Sequence, residues 1–253
     1  MLGYYLDFNV LSAELYGVPE KRRRTIIIGS LIPGISIPSP TRKKPVTVGD
    51  VIEKIYARGG KVYNHDIETA QIKNTLDKKR LRCIPEGKGI RYKKDELAYL
   101  PKRLRLGVNW DEIRENRFRQ TKYYRLDRSL PSPTIMTHRG NYYHPTEDRY
   151  LTAREAAKIQ SFPNNFEFKG TLSAQWRQIG NAVPPVLAKE LGKHILHFLE
   201  QNKITSVSQL RKINRSGNSR KTKKNEHLNQ LEGHIKNKRG KAFHYKLAAT
   251  QKN

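Results

Sequence analysis

Two arginines, Arg22 and Arg24, lie just before a run of β-branched residues, 25–28, that ends at Gly29. Such a run is typical of a strand that is buried on both faces, so we expect a sheet to fix the positions of both arginines. A guanidinium group is permanently charged and presents a planar set of hydrogen-bond donors. The pair is therefore suited to hold an oxygen-rich or anionic group, although isolated basic triplets are more often simply solvated.

The second candidate site is residues 178–185, which read QIGNAVPP. We predict a short turn of small residues that leads into an amphipathic helix, because apolar residues recur there at helical spacing: Val186, Leu187, Leu191, Ile195, Phe198 and Leu199. A turn at a helix N-terminus exposes backbone N–H groups, which suit a carboxylate or phosphate. The Asn181 amide can both donate and accept. Taken alone, the segment also fits an ordinary corner between two helices.

Strands are predicted near the N-terminus. Residues 4–10 alternate, which predicts a half-buried strand with its apolar side chains inward: Tyr4, Leu6, Phe8 and Val10 form that face, and Tyr5, Asp7 and Asn9 form the other. A second strand is predicted at residues 25–28. Two strands do not make a stable sheet alone, so both require neighbours.

Helices are predicted from local end signals. Thr152 with Glu155, and Thr47 with Asp50, have the spacing of a capping box, so a helix should begin just after each threonine. Residues 64–82 are compatible with a further helix. These elements would bracket the two candidate sites.

The composition indicates a polyanionic partner. The 253 residues carry a net charge of +27, with 50 Lys and Arg against 23 Asp and Glu. Residues 201–253 contain 14 basic and 2 acidic side chains, a net +12, so the first 200 residues carry the remaining +15. Nucleic acid is favoured over a membrane surface, because the sequence has no long apolar run and no basic amphipathic helix. A single cysteine, Cys83, excludes a disulfide scaffold and fits a reducing cytoplasm.

Residues 31–124 are loop-rich and interleave arginine with tyrosine, and 83–124 show no regular pattern. Arginine contacts guanine edges and phosphates, and aromatic rings stack or wedge, so we interpret this region as a DNA surface. A plain insertion with a solvated surface is the alternative. The arginines predicted to bind DNA are Arg80, Arg82, Arg91, Arg103, Arg105, Arg117, Arg119 and Arg125.

Three stretches together resemble the cytosine-C5 DNA methyltransferases. REAAKIQSFP at residues 154–163, followed by QIGNAVPP, resembles the last motif of that family. YGVPEKRRRTIIIG at residues 16–29 resembles the eighth motif, usually written Gln-x-Arg-x-Arg. YRLDRSLPSPTI at residues 124–135 resembles the ninth.

This resemblance implies roles for the two candidate sites. Arg22 and Arg24 fill the arginine positions of the eighth motif, whereas Glu20 replaces its glutamine. Arg24 would help to hold a cytosine flipped out of the duplex, and Arg22 would support the site. The last motif would close the pocket of the cofactor S-adenosyl-L-methionine through Gln178, Gly180, Asn181 and Ala182. No metal site is expected.

The resemblance also implies the fold. It is an α/β fold, part of a class I S-adenosylmethionine-dependent methyltransferase fold with edge strands and closing helices, plus a loop-rich α+β target-recognition region. Residues 1–30 would supply the edge strands, 31–124 the target-recognition region, 125–200 the ninth and tenth motifs in the catalytic lobe, and 201–253 a basic tail. Because the tail is polar and nearly free of apolar clusters, we predict that it is disordered.

Three motifs that the family's chemistry needs are absent from the sequence: the Pro-Cys that carries the thiolate, the Glu-Asn-Val that supplies the acid, and the Phe-x-Gly-x-Gly turn of the cofactor cradle. Cys83 has no preceding proline and lies in the predicted recognition region, so we do not interpret it as the nucleophile. We therefore expect one subunit of a split DNA (cytosine-5-)-methyltransferase of a restriction-modification system, inactive without a second polypeptide that carries the missing motifs.

Its other partner would be double-stranded DNA, in the cytoplasm and nucleoid of a prokaryotic or virus-infected cell. The alternative within the family is a truncated product, which would act as a sequence-specific DNA-binding module without catalysis. A nuclease subunit is not favoured, because no paired acidic metal motif stands out.

Overall fold

The computed structural model describes residues 4–56, 60–203 and 209. Almost all of the predicted tail lies outside the described residues. Within these ranges the strands are Tyr5–Ser12 (β1), Glu20–Lys21 (β2), Arg23–Ser30 (β3), Ile90–Tyr92 (β4), Arg117–Lys122 (β5) and Ser132–Pro133 (β6). The α-helices are Val48–Ile52 (α1), Thr75–Arg82 (α2), Lys93–Tyr99 (α3), Ala153–Ile159 (α4), Leu172–Asn181 (α5) and Pro185–Gln201 (α6).

The two predicted N-terminal strands pair with each other. β1 and β3 form an antiparallel ribbon in which Leu6 lies opposite Gly29, and Leu11 lies opposite Arg24. Residues opposite each other share a face, so one face of the ribbon carries Leu11 with Ile26. These two side chains belong to a small apolar cluster with Leu187 of α6. The ribbon therefore packs onto α6 by that face.

The opposite face of the ribbon is uncovered among the described residues, and we call it the open face. It carries the alternating apolar set of β1 together with Ile27 of β3, and Leu6 is 48% and Ile27 is 67% exposed. The prediction that the apolar face of β1 points inward is thus wrong in this chain, because the more polar face of the strand is the one that packs onto α6. The predicted burial of β3 on both faces is also wrong here, since within the described ranges this sheet has two strands only.

Helices α1, α4 and α5 enclose the largest apolar core. Its buried residues include Leu126, Ile135, Leu151, Trp176 and Ile179. Both predicted capping boxes are confirmed: the threonine hydroxyl before α1 and the one before α4 each accept the backbone N–H three residues on, and the acidic side chain there caps in return. This core fixes the ends of α4 and α5, which carry the last predicted motif.

Residues 83–124, which we call the middle region, have a core of their own. Ile84, Ile90, Leu100, Leu104 and Trp110 are buried together among β4, α3, β5 and short 3₁₀ turns. The buried Glu96 carboxylate accepts the Trp110 indole N–H at 2.6 Å. The prediction that 83–124 is irregular is therefore wrong, because one polar side chain and a few scattered apolar residues organise short elements that lack sequence periodicity.

The helix predicted within 64–82 is shorter than expected. It begins only at Thr75, where the Asn74 side chain accepts the backbone N–H groups of Leu76 and Asp77. None of the helices in the described ranges combines the length and the apolar character that a membrane crossing requires.

Candidate functional site

Arg22 lies where the three predicted motifs meet. Its side chain is 2% exposed. Its Nη2 donates to the Gly180 carbonyl at 2.7 Å, and its Nη1 donates to the Ile135 carbonyl at 3.3 Å. One buried guanidinium thus joins the eighth-motif segment to the ninth-motif segment and to the end of α5. This geometry fits the predicted supporting role of Arg22.

Glu20 completes this junction from the same segment. β2 pairs in parallel with β6, with Glu20 opposite Ser132. The fully buried Glu20 carboxyl accepts the Ile135 N–H at 2.5 Å and contacts Arg22 Nη1 at 3.4 Å. Burial raises the pKa of Glu20 to about 7, and the hydrogen bond from Ile135 and the charge of Arg22 only partly oppose the rise.

Arg24 is the exposed member of the pair. Its backbone lies in β3, and its Nη1 donates to the Arg23 carbonyl at 2.8 Å. Partial burial, and then the positive charge of Arg22, lower the pKa of Arg24, while Glu20 opposes the change. The structure therefore brings both predicted arginines to one place, with Arg22 buried and Arg24 left accessible. Arg23 follows the alternation of the strand onto the other face.

The predicted turn at 178–185 needs correction. Residues up to Asn181 are helical, as the last turn of α5, and the Ala182 N–H donates to the Ile179 carbonyl at 3.3 Å. Residues 184 and 185 are prolines, which have no N–H. The predicted row of free backbone donors is therefore not formed.

Gly180 has a packing role that the sequence did not predict. A Cβ at this position would lie 2.5 Å from the Met136 carbonyl oxygen. Any side chain would push α5 away from the ninth-motif segment and would move the carbonyl that accepts Arg22. The sequence showed a glycine here but not the backbone that approaches it.

The other predicted cofactor residues differ in exposure. Ala182 packs against the largest core. Gln178 is exposed, although its Nε2 donates to the Lys169 carbonyl at 2.9 Å. Asn181 is exposed, and Val183 beside it is 57% exposed. An exposed amide and an exposed apolar side chain thus lie one and three residues beyond Gly180, whose carbonyl accepts Arg22.

Two of the eight arginines predicted to bind DNA are structural. Arg125 is 5% exposed and donates to several backbone carbonyls, including those of Ile84 at 2.9 Å and Glu147 at 2.8 Å. Arg80 donates from Nε to the Leu104 carbonyl at 2.8 Å. Both guanidiniums are occupied in holding the middle region, so this structure corrects their assignment as DNA contacts.

The remaining six arginines lie nearer the surface. Arg82 pairs with Asp148 at 2.7 Å, Arg117 pairs with Glu115, and Arg91 is half-buried. Three are exposed and make no ion pair with any described residue: Arg103, Arg105 and Arg119. These three are the side chains of the predicted set that are free to contact a nucleic acid.

A buried charge network was not predicted. Arg149 makes a two-pronged ion pair with Glu155 at 2.8 Å, and both are almost fully buried. Arg154 is fully buried and donates to the carbonyls of Tyr63 and Pro163, and burial lowers its pKa to about 10. Glu155 was predicted as the capping residue of α4, but no sequence signal indicated that Arg149 pairs with it or that Arg154 is buried.

Cys83 does not belong to the arginine junction. It is half-buried against the middle core, and its Sγ donates to the Lys79 carbonyl at 3.5 Å. The described residues contain no cluster of three or more His, Cys, Asp or Glu that could hold a metal ion.

Two curated type II methyltransferases are similar to this chain over most of its length. Type II methyltransferase M.NgoFVII of Neisseria gonorrhoeae is 34% identical over 212 residues, which cover 79% of this chain and 52% of that protein. Type II methyltransferase M.PspPI of Psychrobacter sp. (strain TA137) is 33% identical over 220 residues, which cover 78% of this chain and 47% of that protein. The chain therefore spans about half the length of the curated relatives it matches.

Among solved structures, an Escherichia coli prophage protein assigned as a DNA modification methyltransferase has a TM-score of 0.52 at 22% identity, covering 78% of this chain and 61% of that one. This likeness concerns the fold and agrees with the predicted α/β methyltransferase type. Residues 1–197 match the model of the C-5 cytosine-specific DNA methylase family. This chain, as its sequence motifs indicated, belongs to the C-5 cytosine-specific DNA methylase family.

Proposed function

We propose that this chain supplies DNA target recognition and part of the cytosine and cofactor pockets of a DNA cytosine-C5 methyltransferase, and that a second polypeptide carries the rest. The chemistry needs a thiolate that adds to cytosine C6 and an acid that activates the ring at N3. Neither Pro-Cys nor Glu-Asn-Val occurs in the 253 residues. Both groups must then come from outside this sequence.

The open face of the ribbon carries the proposal. A solvated face of an antiparallel sheet is normally polar, whereas this one presents Leu6, Val10 and Ile27, each more than a third exposed. Exposed apolar surface of this kind marks an interaction site. Arg24 lies on the other face of the same ribbon, opposite Leu11, so a polypeptide that covers the open face binds the strand that carries Arg24. We infer that the rest of the methyltransferase sheet, together with the helices that cover it, binds to the open face.

Within such an assembly Arg24 has a chemical role. A cytosine swung out of the duplex has lost its pairing partners, and its O2 needs a donor. An accessible guanidinium at the end of a paired strand supplies that donor and stabilises negative charge on the ring as the thiolate adds. Arg22 donates hydrogen bonds to the Gly180 and Ile135 carbonyls and so holds the surrounding backbone in place.

The exposed wall formed by Asn181 and Val183 fits the cofactor. We propose that it contacts S-adenosyl-L-methionine, which supplies the methyl group. The amide offers a donor and an acceptor, and the valine an apolar surface. Asn181→Leu should weaken cofactor binding in the assembled enzyme, whereas DNA binding should persist.

The test is reconstitution of methyl transfer. The purified chain, with labelled S-adenosylmethionine and mixed-sequence DNA, should transfer no methyl groups. Addition of a polypeptide with the Phe-x-Gly-x-Gly, Pro-Cys and Glu-Asn-Val motifs should restore transfer to cytosine, and mutation of its Pro-Cys cysteine should abolish it. Transfer by the chain alone would contradict the division of labour. Sequence-specific DNA binding with no transfer from any mixture would instead support the DNA-binding module.

A further inference from the structure

Glu20 is a buried carboxyl group with few donors around it. Its Oε1 accepts one close N–H, from Ile135 at 2.5 Å, and one longer contact, from Arg22 at 3.4 Å. Its Oε2 has no hydrogen-bond partner among the described residues. An ionised carboxylate offers about four acceptor positions, and a buried charged oxygen without a donor is costly. The surroundings therefore disfavour the ionised form.

The neutral form suits these surroundings better than the ionised form, because an unpaired neutral O–H costs less to bury than an unpaired charge. A protonated carboxyl group has one carbonyl acceptor and one O–H donor, which is the combination that a glutamine amide offers. Glutamine is the residue that the Gln-x-Arg-x-Arg pattern has at this position. With a proton on Oε2, Glu20 can accept from Ile135 as a glutamine would, without burying a negative charge.

We propose that Glu20 is a positioning residue that works as a neutral acid, holding Arg22 and the Ile135 backbone in place, and that loss of its proton at alkaline pH disturbs Arg24. The titratable or charged groups that act on Glu20 are Arg22 and Arg24 from its own segment and Tyr142 from the ninth-motif side. Burial raises the pKa of Tyr142 to about 12, whereas that of Glu20 is raised to about 7. Of these four groups, Glu20 is the one that changes charge near neutral pH.

The sign of the pH effect follows from these values. The pKa of Glu20 is higher in the folded chain than its ordinary value of 4.5. Its contribution to stability is therefore fully present below about pH 4.5 and is lost as the pH rises through about 7. Glu20→Gln keeps the shape and the neutral hydrogen bonds but cannot ionise, so its stability should not follow this trend.

The experiment is urea unfolding of the full chain at pH 5.5 and pH 8.5, for the wild type, Glu20→Gln and Glu20→Ala. Between the two pH values the wild type should lose stability relative to Glu20→Gln, with the ratio of their unfolding constants changing on the order of 10-fold or more. Glu20→Ala should be less stable than Glu20→Gln at both. A ratio that does not change with pH, a wild type more stable than Glu20→Gln at pH 8.5, or a Glu20→Gln chain that fails to fold would each overturn the proposal.

The effect on Arg24 rests on the proposed function and is read from the reconstituted enzyme. There, kcat of the wild type should fall above about pH 7 relative to Glu20→Gln, because a carboxylate beside Arg24 offsets the positive charge that stabilises the reacting ring. Equal pH profiles would overturn this part. If no mixture transfers methyl groups, the proposed function fails, and the unfolding measurement alone still decides the state of Glu20.

Discussion

The β1–β3 ribbon and the middle region are both made of short strands, yet they are completed in different ways. The middle region closes its own core around Trp110 and the buried Glu96 carboxylate. The ribbon buries one face on α6 and leaves Ile27 of the other face 67% exposed. The comparison indicates that the middle region, which we propose to be the recognition region, closes its own core, whereas the ribbon has one apolar face that no described residue covers.

The largest effect should come from breaking the core of the middle region. Trp110→Ala removes a buried indole and leaves Glu96 without that donor, so we expect a loss of about 3–5 kcal/mol in the stability of this region. Sequence-specific DNA binding should be lost with it. If the region is independent, backbone NMR signals of β1 and β3 should stay in place, whereas collapse of the ribbon signals would contradict that independence.

The next largest effect is expected on the other side of the comparison, at Arg24. Arg24→Ala in the reconstituted enzyme should lower kcat by about 10²-fold, on the scale of a lost oxyanion donor, with little change in cofactor affinity. The comparison variant is Arg23→Ala, measured at saturating second polypeptide: Arg23 lies opposite Ser12 on the open face, so its loss should weaken assembly but leave kcat nearly unchanged. Equal damage from both substitutions would mean that the triplet acts as a plain electrostatic patch.

The open face offers a direct way to sharpen the comparison. Ile27→Asp places a charge on a surface that we expect the second polypeptide to cover, so affinity for that polypeptide should fall by about 10- to 100-fold. Leu97→Asp is the matched control, since Leu97 of α3 is a 50% exposed apolar residue of the middle region. Titration calorimetry of the two variants would decide, and equal losses would refute a specific docking face.

The smallest effect should fall on the exposed arginines of the middle region. Arg119→Ala should lower the free-energy difference between target and non-target DNA by about 1–3 kcal/mol if Arg119 contacts a base edge.

Deleting residues 205–253 should instead weaken binding to all DNA sequences equally and flatten the salt dependence of binding. Competition binding with shuffled DNA separates the two, and a change of target sequence on deleting the tail would contradict the assignment.

Local signals in the sequence predicted local structure well. Both threonine caps, the two N-terminal strands and α6 follow from residue types a few positions apart. Long-range contacts were not predictable in this way. The sequence shows that Arg22 and Gly180 are present, but only the fold places the guanidinium 2.7 Å from that carbonyl. The same reason explains why Arg125 was assigned to DNA although it is buried.

The prediction that the apolar face of β1 is buried failed for a different physical reason. Alternation tells which residues share a face, and that part is confirmed by the register with β3. It assumes that the apolar face finds a partner within the same sequence. Here no described residue covers Leu6 and Ile27, so the apolar face points outward.

Hydrogen–deuterium exchange, with and without the second polypeptide, tests the central claim most directly. In the free chain the amides of β1 and β3 should exchange faster than those of β4, α3 and β5, because the ribbon is covered on one face only. On mixing, protection should rise across β1 and β3 and stay unchanged across the middle region. A ribbon as protected in the free chain as the middle region, or one whose exchange does not slow in a mixture that transfers methyl groups, would contradict the account.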